Sequence, residues 1–205
     1  MTVRMATRPP VRMTAEARRE QLLDVTKEIV AERGFHAVSI EGVAREAGIS
    51  RPIVYGHFAD LPGLLDALVR REGARALGQL AEVLPAALAR SDPEERLVAS
   101  LAGYLEAVQA DPRTWRLVLV PHEGAPRVLH EAISCGRAAV VAQLAGALAG
   151  EDGGLDAPDP ELAAHLLSAL ADEAARLLLA EPERYPRERI LALARWFLRL
   201  APVAR

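Results

Sequence analysis

The stretch SIEGVAREAGISRPIVYGHF, residues 39–58, decides how the chain is read. Its first half places Ile40, Val43, Ala44 and Ala47 on one helical face and Glu41, Arg45 and Glu46 on the other. Ser39 is a good N-cap, and Gly48 is expected to turn the chain where a Cβ would obstruct it. Ser50 then caps a very short second helix with Pro52 in its first turn, where a missing N–H costs little. Val54 and Phe58 are four apart, share a face and are expected to pack inward, while Ile49 plugs the core beneath the turn. Arg51, Pro52, Ile53, Tyr55, Gly56 and His57 are left on the other faces. Two short helices at 40–46 and 51–57, joined by AGIS, have the dimensions of a helix-turn-helix. An outward face of Arg, Tyr and His suits a major groove. There Arg can pair with guanine O6 and N7, and an apolar side chain can meet a thymine methyl. Arg51 can also contact phosphate or stay solvated.

The flanking sequence reads as helices throughout. A first helix over 15–32 carries Leu22, Thr26, Ile29 and Val30 as its inward stripe, and Gly34 ends it. Asp60 caps a helix over 61–84. The pairs Asp92-Pro93, Asp111-Pro112 and Asp159-Pro160 each place an N-cap before a proline at the first helical position. Helices are expected near 93–110, 112–120, 126–149, 160–180 and 186–201, with PHEGAP and GEDGGLDAPDP as loops between them. The expected fold is all-α, with three regions: a basic arm at 1–14, a three-helix helix-turn-helix domain at 15–60, and a helical domain at 61–205.

Composition agrees. Hydrophobic residues make up 51% and aromatics 4%, which favours close helix packing by Ala and Leu. The net charge is −3, yet residues 1–19 carry five Arg against Glu16, a local +4 suited to a polyanion or to a solvated terminus. Lys27 is the only lysine. One cysteine, Cys135, excludes an internal disulfide and a multi-Cys metal site. The first twenty residues hold no continuous apolar run, and no segment reads as a membrane span, so a cytoplasmic protein without membrane contact is expected. His122-Glu123 lacks a second His at metal spacing, and there is no Gly-rich phosphate loop or G-x-S-x-G. No catalytic residue, metal or cofactor is expected.

With ERGF closing the first helix, then SIEGVAREAGIS, RPIVYGHF and LLDAL, residues 15–70 resemble the N-terminal domain of the TetR family of transcriptional regulators. The resemblance implies a ligand-responsive regulator: a homodimeric repressor released from a palindromic double-stranded DNA operator by a small-molecule effector. It implies phosphate contacts for Ser39 and His57, and a groove or phosphate contact for Tyr55. Ser50, Pro52, Ile53 and Gly56 join them as candidate DNA-binding residues with Arg51. The bland roles stay open beside these: an N-cap for Ser39, half-buried packing for Tyr55, a helix-end cap for His57. Leu61 stands where the family often has a phosphate-binding Lys, although the helix N-terminus near Pro62 and Gly63 can offer backbone N–H groups. Arg12, Arg18 and Arg19 of a basic arm can compensate.

The resemblance further implies a C-terminal domain that binds effector and dimerises. Helices 160–180 and 186–200 are apolar on more than one face, and Leu166, Leu170, Leu177, Leu193 and Phe197 are the expected interface. Tyr104, Val108, Trp115, Leu119, His122 and Cys135 are candidates for a largely apolar effector pocket, or for plain core. A helical protein-interaction module without specific DNA binding is the competing reading.

Overall fold

A computed structural model describes residues 13–88, 90, 92–119, 127–149 and 157–200. The N-terminal unit begins with α1 (Ala15–Arg33), a 3-10 turn at Phe35–Ala37, α2 (Ile40–Glu46) and α3 (Arg51–Tyr55). The body follows as α4 (Leu61–Leu88), α5 (Pro93–Ala110), α6 (Pro112–Leu119), α7 (Arg127–Leu148), α8 (Pro160–Ala180) and α9 (Arg187–Leu200). Among the described residues no helix is long and apolar enough to cross a membrane.

The helix starts follow from their caps. Thr14 Oγ1 accepts the Ala17 N–H, and Ser39 Oγ accepts that of Gly42. Asp92, Asp111 and Asp159 each accept a backbone N–H two or three residues on, so all three Asp-Pro pairs open helices. Gly34 ends α1 at φ 82°, in the left-handed region.

The N-terminal core collects Leu22, Ile29 and Val30 of α1, Val43 and Ala44 of α2, and Val54 and Phe58 of the α3 segment. It does not stop at residue 60. Leu64, Leu65, Leu68 and Val69 of α4 are buried in it, and so is Leu117 of α6. Each such side chain contributes about 1.5–3 kcal/mol of apolar burial. The first turns of α4 are therefore held by the N-terminal unit. Farther along, Ala76 joins a second core with Leu105, Val108 and Trp115 of α5–α6 and Leu178 of α8. At 28 residues, α4 spans roughly 42 Å and belongs to both cores.

Candidate nucleic-acid interface

The α2–α3 turn is built as its sequence suggests, with one correction. Gly48 sits at φ 66°, and a Cβ placed there would meet nothing within 4 Å. The glycine is needed for the left-handed backbone and not for space. Its neighbour Ile49 is partly buried against the N-terminal core, and its N–H donates to the Ala44 carbonyl at 2.9 Å.

Val54 is fully buried and Phe58 nearly so, which fixes the roll of α3. The opposite side is left to solvent. Ile53 is 44% and Tyr55 53% exposed, and Arg51, Pro52 and Gly56 are exposed beside them. Tyr55 is thus not packed away. His57 is half-buried. Arg51 faces Glu41 of α2 at 3.7 Å, with both side chains mostly in water. Such a pair is worth little, so a phosphate or a guanine edge can displace it. Ser50 holds the N-cap position but makes no side-chain capping bond, leaving its exposed hydroxyl uncommitted to the helix. Ser39 does cap α2, and its hydroxyl proton can still reach outward. At Gly56 a Cβ would lie 3.3 Å from the Ile53 carbonyl oxygen, so the missing side chain keeps the end of this short helix uncrowded.

Arg18 and Arg19 are not arm residues. Both lie within α1, and Arg18 Nη1 donates to Gln21 Oε1. The Arg19 guanidinium lies 4.4 Å above the Phe58 ring, and its Nη1 donates to the His57 carbonyl at 3.0 Å. Arg19 therefore braces the far end of the α3 segment from α1. Arg12 and the rest of residues 1–12 lie outside the described residues.

The start of α4 also departs from expectation. Leu61 is half-buried against the N-terminal core, so it contributes packing where a cation was anticipated. Asp60 Oδ1 accepts the Gly63 N–H at 2.7 Å, and Pro62 has no N–H to give. The helix N-terminus is closed by the chain's own carboxylate, which disfavours a phosphate there.

Behind this face, a buried polar joint ties α1 to the body, and nothing in the motif foretells it. Lys27 Nζ of α1 reaches Glu72 Oε2 of α4 at 2.7 Å and donates to Thr114 Oγ1 of α6 at 2.6 Å. It also lies 3.4 Å from Asp111 Oδ1. The Thr114 hydroxyl stands 2.5 Å from Glu72 Oε2 and 2.7 Å from Asp111 Oδ2, and its single proton can serve only one of them at a time. Arg71 of α4 pairs with Glu20 and Asp24 of α1 at 3.0 and 2.9 Å, and with Glu72. Arg75 adds a contact to Asp111 at 3.1 Å. Burial pushes the Glu72 pKa upward, but the hydrogen bonds from Lys27 and Thr114 and the charges of Lys27 and Arg71 outweigh it. The net pKa is below the ordinary carboxylate value. Asp111 shifts the same way: burial opposes, and the Thr114 bonds with Lys27 and Arg75 prevail. The one hint in the sequence was that the only lysine sits beside the inward stripe of its helix.

In the body, Tyr104, Val108, Trp115 and Leu119 are buried in a single cluster. The rings of Tyr104 and Trp115 meet edge to face at 5.2 Å. The Tyr104 hydroxyl donates to Asp172 Oδ1 at 3.0 Å, and Trp115 Nε1 donates to Gln79 Oε1 at 2.7 Å. Arg137 closes on the other oxygen of Asp172. Burial, and then the Asp172 charge and hydrogen bond, raise the Tyr104 pKa well above its usual value, so it acts as a neutral donor. Cys135 is exposed on α7 and stands apart from that cluster, which removes it from the expected wall. His122 lies outside the described residues. Gln79, Arg137 and Asp172 were missed by sequence reasoning, since polar residues on long helices usually face water.

The expected interface leucines are found largely in solvent. Leu166 is 57% exposed, Leu170 67%, Leu193 53% and Phe197 58%, while Leu177 is half-buried. Leu162 of α8 and Trp196 of α9 are exposed as well and were not foreseen.

The sequence profile of the family described as bacterial regulatory proteins, tetR family, matches residues 22–68. The HTH-type transcriptional regulator BetI of Yersinia pestis is 39% identical over 101 residues, 48% of this chain and 50% of that protein. The HTH-type transcriptional activator FasR of Mycolicibacterium smegmatis is 28% identical over 107 residues, 52% of this chain and 48% of that protein. The chain thus spans about half the length of the curated relatives it matches. A TetR-like transcriptional regulator from Rhodococcus sp. RHA1 superposes with a TM-score of 0.68 at 25% identity, covering 93% of this chain and 100% of its own. A transcriptional regulator from Pseudomonas aeruginosa PAO1 shares the fold at a TM-score of 0.73 and 22% identity, with 92% and 91% covered. Residues 22–68 thus match the helix-turn-helix domain of the tetR family of bacterial regulatory proteins, and the all-helical fold of the chain is shared with TetR-like solved structures.

Proposed function

We propose that the protein is a ligand-responsive, DNA-binding transcriptional regulator that acts as a homodimer. It represses from a palindromic operator and is released by a small, largely apolar effector. The observation that carries this reading is α3: Val54 is buried beneath it while Arg51, Ile53 and Tyr55 stand in solvent above. Arg51 then pairs with a guanine edge or a phosphate, Ile53 meets a thymine methyl, and Tyr55 and Ser39 position the backbone. The exposed leucines of α8 and Phe197 of α9 supply the surface that joins two copies and sets the separation of their recognition helices. The effector occupies the neighbourhood of Tyr104 and Trp115, where apolar walls surround a few polar groups. From there α6 and α4, joined to α1 through Lys27, carry the change to the N-terminal unit.

A mobility shift of the DNA upstream of the protein's own coding sequence tests this reading, with excess unrelated DNA as competitor. The wild-type chain is expected to retain a sequence-selective complex. The double variant Arg51→Ala/Tyr55→Ala is expected to lose it with unchanged thermal unfolding. Selective binding retained by the double variant would overturn the assignment of α3. Absence of selective binding by the wild type would favour the interaction-module reading, which the closed N-terminus of α4 already lends some support.

A further inference from the structure

A cleft of about 220 Å³ lies on the seam between the two cores, walled by α1, α6 and α8. Its floor is apolar. Val30 of α1 and Leu117 of α6 belong to the N-terminal core, and Leu179 of α8 to the body core. Arg113 and Arg116 of α6 and Arg176 of α8 line it as well, and among the described residues none that lines it is acidic. Part of that positive charge is met outside the cleft. Arg113 pairs with Glu28 at 2.9 Å, Arg176 with Glu173 at 2.8 Å, and Lys27 beneath them with Glu72. Arg116 donates to the Leu179 carbonyl at 3.1 Å, a neutral partner. The space is distinct from the Tyr104–Trp115 cluster, none of whose aromatic residues line it.

An apolar floor under an arginine rim selects for a molecule with one anionic head and a short apolar body. The volume equals roughly seven water molecules, enough for a chain or ring of similar heavy-atom count with its head at the rim. A guanidinium presents planar paired donors that match a carboxylate. We propose that this cleft binds a small amphipathic carboxylate, held by Arg116 and Arg113 over Val30, Leu117 and Leu179. An occupant touches α1, α6 and α8 at once and so bridges the N-terminal unit to the body. This site needs neither the operator nor the effector cluster, so its test stands apart from theirs.

The test is calorimetric titration of the full chain with octanoate, with octyltrimethylammonium and octanol as probes of charge. The expected result is one octanoate per chain, a raised melting temperature, and at least tenfold weaker binding of the other two. Ala31→Trp fills the cleft from an exposed position on α1 and is expected to abolish octanoate binding. Arg113→Ala/Arg116→Ala is expected to weaken it at least tenfold. Arg51→Ala/Tyr55→Ala is expected to leave it unchanged. Equal binding of the cationic probe, several equivalents per chain, or no binding would overturn the proposal. So would octanoate binding that survives both Ala31→Trp and the arginine variant, which would place the ligand elsewhere, in the body.

Discussion

Gly48 and Arg51 sit three residues apart and do opposite kinds of work. Gly48 holds a left-handed backbone that any Cβ-bearing residue resists. Gly48→Ala should therefore cost about 1–2 kcal/mol in urea unfolding even though the space beside it is empty, and Gly48→Asn should cost less. An equal cost for Ala and Asn would point to crowding instead. Among the described residues Arg51 is held by a long, solvated contact with Glu41, so Arg51→Ala should leave stability within about 0.5 kcal/mol of wild type. At this scale the sequence was readable wherever the cause was local. Caps at Ser39 and Asp159 act on neighbours three positions away, and Val54 with Phe58 follows from helical period. Arg19 was misread because its partners, Phe58 and His57, lie in a different element.

Between elements, the joint of α1, α4 and α6 matters most. Glu72 is fully buried and Lys27 nearly so, and removing one partner leaves the other's charge poorly met. Lys27→Met should destabilise the fold by about 3 kcal/mol, measured by urea unfolding, although Arg71 and Thr114 still face Glu72. The joint also predicts acid sensitivity. Glu72 and Asp111 both have folded pKa values below ordinary carboxylates. Their contribution is thus fully present above the unfolded values of about 4 and is lost as pH falls through the lower folded values. Unfolding free energy measured between pH 6 and pH 2 should fall on the acid side, and Glu72→Gln should flatten that fall while lowering the plateau. An unchanged acid limb would remove Glu72 from the account. No reading of the chain could assemble this joint, because Lys27 and Thr114 are 87 positions apart and only tertiary packing brings them together. Most helices were legible to within a residue or two, since Asp-Pro pairs mark three of their starts, but α4 runs to Leu88, four residues past its expected end.

At the scale of the whole molecule, the proposed function rests on pairing two copies. The apolar residues of α8 at 162, 166 and 170 recur every fourth position and lie in solvent, so they form one continuous stripe. Leu166→Glu/Leu170→Glu should convert a dimer to a monomer in sedimentation equilibrium and weaken operator binding at least tenfold, leaving α3 intact. A dimer that survives those charges would place the interface elsewhere. Leu166 and Leu170 were legible because their period is a property of one helix, while Leu162 on the same stripe was passed over. The Tyr104–Asp172 bond and the seam cleft were not, because each is made by helices far apart in sequence. The central claim is that two copies of α3 read DNA together. Hydroxyl-radical footprinting of the upstream DNA with the wild-type chain tests it most directly. The account predicts two protected patches related by a two-fold axis, with half-sites a whole number of helical turns apart, both lost with Arg51→Ala/Tyr55→Ala. Uniform, sequence-independent protection, or a selective footprint unchanged by that double variant, would contradict it.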